Sequence, residues 1–90
     1  MDERQAIEAA FRYFYILYPN RLGQEYDPSL EEIEMSKDGR YWLVTLGFDE
    51  RRQQNPYLPK YLQMPLRKLK SFKVDAVSGR VLSMKIPRDE

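Results

Sequence analysis

Hydrophobic residues recur at helical spacing only near the start of this chain and alternate with polar residues along most of its remaining length. Ile7, Ala10, Phe11, Phe14, Leu17 and Tyr18 fall on one stripe of a 3.6-residue period, which predicts an amphipathic helix. Asp2, with Gln5 three positions on, is placed to open that helix with a capping box. Pro19 and Asn20 end it by Tyr18, because the residue before a proline is biased out of the helical region. Residues 20–29, with Gly23, Asp27 and Pro28, then read as a loop.

The period changes to two over residues 30–35 and 40–48, which predicts a pair of strands joined through Asp38 and Gly39. A two-residue turn at that pair sets Met35 against Trp42 and Ile33 against Val44. The stretch FKVDAVSGRVLSMKI, residues 72–86, predicts a second hairpin. Phe72, Val74 and Ala76 share one face of its first strand, and Leu82, Met84 and Ile86 one face of the second. A one-residue slip would turn a whole strand's apolar set to the wrong side. A three-residue loop avoids this: it pairs Val74 with Leu82 and Phe72 with Met84, with Gly79 in the left-handed position of a type I turn plus bulge. Asp75 then stands where its carboxylate accepts turn amides.

The elements combine into one α+β domain over residues 1–90, an N-terminal helix packed on a four-stranded antiparallel meander sheet. The predicted core sets the helical stripe against Ile33, Met35, Trp42, Val44, Leu46, Phe48, Phe72, Val74, Leu82, Met84 and Ile86. Some apolar surface is left over. Tyr41, Leu43 and Val81 fall on the opposite face of the sheet, and Ile16 lies opposite the helical stripe with Tyr15 at its border. The last turn of the helix is therefore apolar almost all round, a pattern usual for burial on more than one side.

Composition narrows the chemistry. Aromatic residues make up 13% of the chain, enough for a core that leans on large rings. With no His and no Cys, thiolate and imidazole metal sites are excluded, as are disulfides, and only an oxygen-ligand site would remain. No calcium-loop pattern occurs. The serines lack a histidine to activate them, and Glu31, Glu32 and Glu34 fall in one strand, where Glu32 and Glu34 share a face, with no obvious acid partner beside them. Gly23, Gly39, Gly47 and Gly79 are too scattered for a phosphate-cradling loop. We expect no enzyme, no cofactor and no metal. No apolar run approaches the ~20 residues that cross a bilayer, and the opening MDERQAIEAAFR is charged, so a cytosolic protein is expected.

A net charge of +1 conceals segregation: residues 1–50 carry 5 basic and 11 acidic groups, and residues 51–90 carry 10 basic and 3 acidic. One reading is that the acidic strand 30–35 and the basic strand 67–73 complement each other within one sheet. Another is a basic patch of Arg51, Arg52, Lys60, Arg67, Lys68 and Lys70 that meets nucleic acid or an acidic protein. Lys70 and Lys73 alternate with apolar residues and read as a solvated or partner-facing strand edge. For nucleic acid, the run RKLKSFK would offer Phe72 as a stacking ring, but the core register already claims Phe72 and the net charge is nearly neutral, so a nucleic-acid partner is not expected.

The connection RRQQNPYLPKYLQMP, residues 51–65, is long for a hairpin and holds three of the six prolines. It either folds back as a flap or binds a partner. In the binding reading Tyr57, Leu58 and Tyr61, backed by Arg51, Arg52 and Lys60, are the anchors. Together with Tyr41 and Leu43 they would form a protein-binding or self-association surface.

The order helix, hairpin, long connection and final strand pair, with Val74, Asp75, Gly79, Val81 and Leu82 in the last hairpin, resembles the PepSY-like domains. That resemblance implies a cystatin-like helix on an antiparallel sheet and a non-catalytic role in binding or inhibiting a peptidase or another partner. A small immunity-type protein that neutralises a toxin by direct binding is a related expectation.

Overall fold

A computed structural model of the chain describes residues 2–20, 26–50 and 66–87. Helix α1, Glu3–Leu17, opens as its first residues dictate. The Gln5 amide donates to Asp2 Oδ1 at 2.9 Å, and the Asp2 amide donates back to Gln5 Oε1 at 3.0 Å. Two of the amide donors that a helix start leaves unpaired are satisfied in this way. At the other end the Tyr18 amide donates to the Phe14 carbonyl at 2.8 Å, and Pro19 follows.

Four strands form one sheet in the order β1-β2-β3-β4, each antiparallel to its neighbour: β1 Ser29–Met35, β2 Tyr41–Glu50, β3 Leu66–Asp75 and β4 Val81–Lys85. The expected α+β meander is the observed architecture. In the first hairpin Ile33 opposes Val44 and Met35 opposes Trp42, the register the alternation predicts. Its turn is wider than a two-residue one. The Gly39 amide donates to the Ser36 carbonyl, the Ser36 amide donates to the Tyr41 carbonyl, and of Asp38 and Gly39 only the glycine has positive φ. The tight hairpin turn that favours Asp-Gly needs both residues left-handed. Here Asp38 instead accepts from the Ser36 hydroxyl and the Arg40 amide, and the loop spreads to fit.

The second hairpin corrects one expected pairing. Phe72 opposes Met84 and Lys73 opposes Ser83, but Val74 opposes Val81, with an irregularity between Lys73 and Val74. The Asp75 amide donates to the Arg80 carbonyl, so the turn holds Ala76, Val77, Ser78 and Gly79. An extra residue at Leu82 then restores the register before Met84, as a β-bulge does. Gly79 is left-handed as expected, φ 76°.

The helix covers one face of the sheet. Ala6, Ala10 and Phe14 of α1 are fully buried against Val44, Leu46, Phe48, Phe72 and Val74. Each large side chain among them contributes about 1.5 to 3 kcal/mol by leaving water. The buried row differs from the predicted stripe: Leu17 is 42% exposed and Ile7 only half-buried. Ala6 and Ala10 are small and let the helix lie close to the strands. The bulk is supplied at one end by rings: Phe14, Tyr18, Tyr26 and Phe48 form a cluster with centroid separations from 4.9 to 6.3 Å. Tyr26, assigned to a loop by sequence, is part of that core.

Three predicted core residues stand mostly outside it: Met35, Leu82 and Ile86 are 40%, 48% and 71% exposed. Met35 is the last residue of β1, an edge strand. Leu82 is displaced by the bulge, and Ile86 lies past the end of β4. Val81, expected on the opposite face, packs on the core with Met84.

Candidate functional site

Alternation fixes what the other face of the sheet presents. Tyr41, Leu43 and Thr45 of β2 point away from the helix, because Trp42, Val44 and Leu46 point toward it. The pairings extend the outer face in rows. Glu34, Leu43, Lys73 and Ser83 form one row from β1 to β4, and Glu32, Thr45, Ser71 and Lys85 form the next. The face holds a shallow groove of about 480 Å³, lined by Tyr41, Leu43, Ser71, Lys73, Ser83 and Lys85 together with Ser36, Lys37 and Asp38 of the β1–β2 turn. The Lys73 ammonium lies 4.0 Å from the centroid of the Tyr41 ring, a cation–π contact that holds both side chains along the groove.

Charge on this face is sorted by strand. Glu31, Glu32 and Glu34 occupy the β1 side, and Lys73 and Lys85 the β3–β4 side. Acidic β1 and basic β3 complement each other through Arg67 and Glu31. Arg67 reaches across β2 to pair with Glu31, and it also donates to Asp49 at 3.4 Å and to the Ser29 hydroxyl at 2.9 Å. Gly47 makes the crossing possible: a Cβ there would lie 2.5 Å from Glu31 Oε1 and 2.6 Å from Arg67 Nη2. Among the described residues, no ion pair engages Glu32, Glu34, Lys73 or Lys85.

Of the residues expected from sequence to bind a partner, the structure places Tyr41 and Leu43 together in the groove, both half-buried. Arg51, Arg52, Tyr57, Leu58, Lys60 and Tyr61 lie outside the described residues. The basic patch does not assemble on one side. Arg67 is on the outer face, whereas Lys68 opposes Phe48 and Lys70 opposes Leu46, which places both lysines on the helix side. Nor is β3 a sheet edge, since it pairs with both β2 and β4. Phe72 is fully buried and has no face free to stack on a base. Ser71, Ser83, Lys85 and Glu34 join Tyr41 and Leu43 on the outer face. Their signal in the sequence is the phase opposite to the core positions, readable only after both hairpin registers are set.

Among the described residues no group of three or more acidic side chains is placed to hold a metal ion, and no helix is long and apolar enough to cross a membrane. The apolar remainder at the helix end is real: Ile16 is 68% and Tyr15 40% exposed. Comparison with known protein families, with curated proteins and with solved structures gave no match to this chain.

Proposed function

We propose that this chain is a non-enzymatic protein-binding module that receives its partner on the outer face of the sheet, which no helix or strand among the described residues covers. The observation that carries the reading is the one-sided packing: α1 covers the inner face, and the outer face keeps an apolar floor of Tyr41 and Leu43 beside lysines that no ion pair engages among the described residues. Apolar floors with charged rims suit partner surfaces, the floor giving affinity and the rim selecting the partner. A helix across a four-stranded meander is also the arrangement that the PepSY-like resemblance implies. It supports a role of the same kind, binding or inhibiting a peptidase, or neutralising a toxin as an immunity-type protein does.

Capture of partners from the source cell tests the reading. Wild type is expected to retain a set of proteins that Leu43→Glu loses, while both melt at the same temperature within a few degrees. A Tyr57→Ala, Tyr61→Ala double variant measures the share of the 51–65 connection. Identical captured sets for wild type and Leu43→Glu would sink the proposal.

A further inference from the structure

The outer face is divided by charge in a way that fits a second copy of itself. In the monomer Glu34 and Lys73 share a row but stand two strands apart, with Leu43 between them. At the usual strand spacing that is roughly 10 Å, too far for an ion pair. Glu32 and Lys85 are a further strand apart in the next row. In these two rows one side of the face is therefore acidic and the other basic, with uncharged Leu43 and Thr45 of β2 between them.

Resting on the reading of this face as a binding surface, we propose that its occupant is another molecule of the same chain, stacked face to face about a two-fold axis that runs along β2. That operation lays Leu43 on the partner copy's Leu43 and Tyr41 on its Tyr41. In the same row it brings each Glu34 onto the other copy's Lys73, twice per dimer. Lys85, one strand farther out, comes beside the other copy's Glu32. The alternatives are worse on the same geometry. A two-fold perpendicular to the strands sets β1 on β1 and carboxylate on carboxylate. An axis between β2 and β3 sets Leu43 on Lys73. Two-fold contacts are self-complementary patches of this kind, and sheets packed face to face keep their strands within about 30° of each other at ~10 Å separation.

Size sets the strength. Three strands of seven to ten residues present a face on the order of 500 Å² per copy, below the ~800 Å² per partner of a standard stable complex. The dimer is therefore concentration-dependent, and salt weakens it because its rim pairs are exposed.

Sedimentation equilibrium of the full chain over a wide concentration range, at low and high salt, tests the proposal. Wild type is expected to reach twice the 10.8 kDa of the chain. Glu34→Lys and Lys73→Glu should each remain at one chain mass where wild type is dimeric, because each sets two like-charge pairs across the axis. An equimolar mixture of these two variants should recover the doubled mass, since both cross-axis pairs are again opposite in sign, and so should the chain carrying both changes. Circular dichroism melts confirm that the variants fold. A wild type that stays at one chain mass throughout, single variants that associate as wild type does, or a mixture that does not recover the dimer would each overturn the proposal. Loss of partner capture by Leu43→Glu alongside a strictly monomeric wild type would overturn self-association while leaving the binding-module reading standing.

Discussion

Asp38 and Asp75 hold the two hairpin turns by the same device. Asp38 Oδ1 accepts from the Ser36 hydroxyl at 2.7 Å and the Arg40 amide at 3.1 Å. Asp75 Oδ1 accepts from the Ser78 and Val77 amides, both at 2.8 Å. Donors aimed at a carboxylate favour its charged form. The Ser36 hydroxyl, then the Arg40 amide, hold Asp38 below its ordinary value, and the Ser78 and Val77 amides do the same for Asp75. With folded values lower than unfolded ones, the stabilisation is fully present above the ordinary carboxylate range. It is lost as pH falls through that range to the lowered folded values. Melting temperatures followed from neutral pH into acid should fall, and Asp38→Asn with Asp75→Asn should flatten that acid limb; an unchanged slope in the double variant would contradict it. Gly47 carries a second prediction at this scale. Gly47→Ala should push the Glu31 and Arg67 side chains apart, removing an exposed pair worth about 0.2 to 1 kcal/mol. Arg67→Met should then cost less in the Gly47→Ala background than in wild type, read by a double-mutant cycle in urea.

At the level of elements, the β3–β4 hairpin separates pattern from packing. Simple alternation puts Leu82 in the core and Val81 outside, and the bulge reverses them: Val81 packs on the core and Leu82 is 48% exposed. Val81→Ala should therefore cost about 1 kcal/mol or somewhat more, by the ~0.8 kcal/mol of each buried methylene. Leu82→Ala should stay within about 0.5 kcal/mol, as surface changes do. Chemical denaturation of the two variants decides between the registers, and a larger loss at Leu82 would restore the simple alternation. Helix α1 shows a related difference. Its existence, its Asp2–Gln5 start and its end at Pro19 are legible because they depend on neighbours in sequence. The stripe that goes down was legible in part: Ala10, Phe11, Phe14 and Tyr18 are in or against the core as expected, but Ala6 carries little hydrophobic signal, and its worth lies in letting the helix approach the sheet.

For the whole molecule, the consequence of one helix on one face is a graded stability. β2 and β3 are paired on both sides and carry the buried Val44, Leu46, Phe72 and Val74, whereas β1 and β4 are edges. Native-state hydrogen exchange should find the amides of those four residues slower than those of β1 by about tenfold or more, since local opening starts where few contacts must break. Comparable rates in β1 and β2 would mean that the sheet opens only as a unit. Among the described residues the same asymmetry leaves the outer face without a covering element, and there Tyr41 and Leu43 meet lysines that local sequence never places beside them.

Periodicity, turn residues and short-range chain geometry were enough to specify the helix, the four strands, their antiparallel order and the register at Met35–Trp42 and Phe72–Met84. The absence of His and Cys likewise withheld whole classes of chemistry before any folding. Folding in three dimensions was needed to set the Leu82 bulge, the place of Tyr26 in the ring cluster, the crossing of Arg67 to Glu31 over Gly47 and the division of Lys68 and Lys70 from Arg67. Each of these depends on residues far apart in the chain sharing one space, and on steric fit between them, which no local pattern encodes.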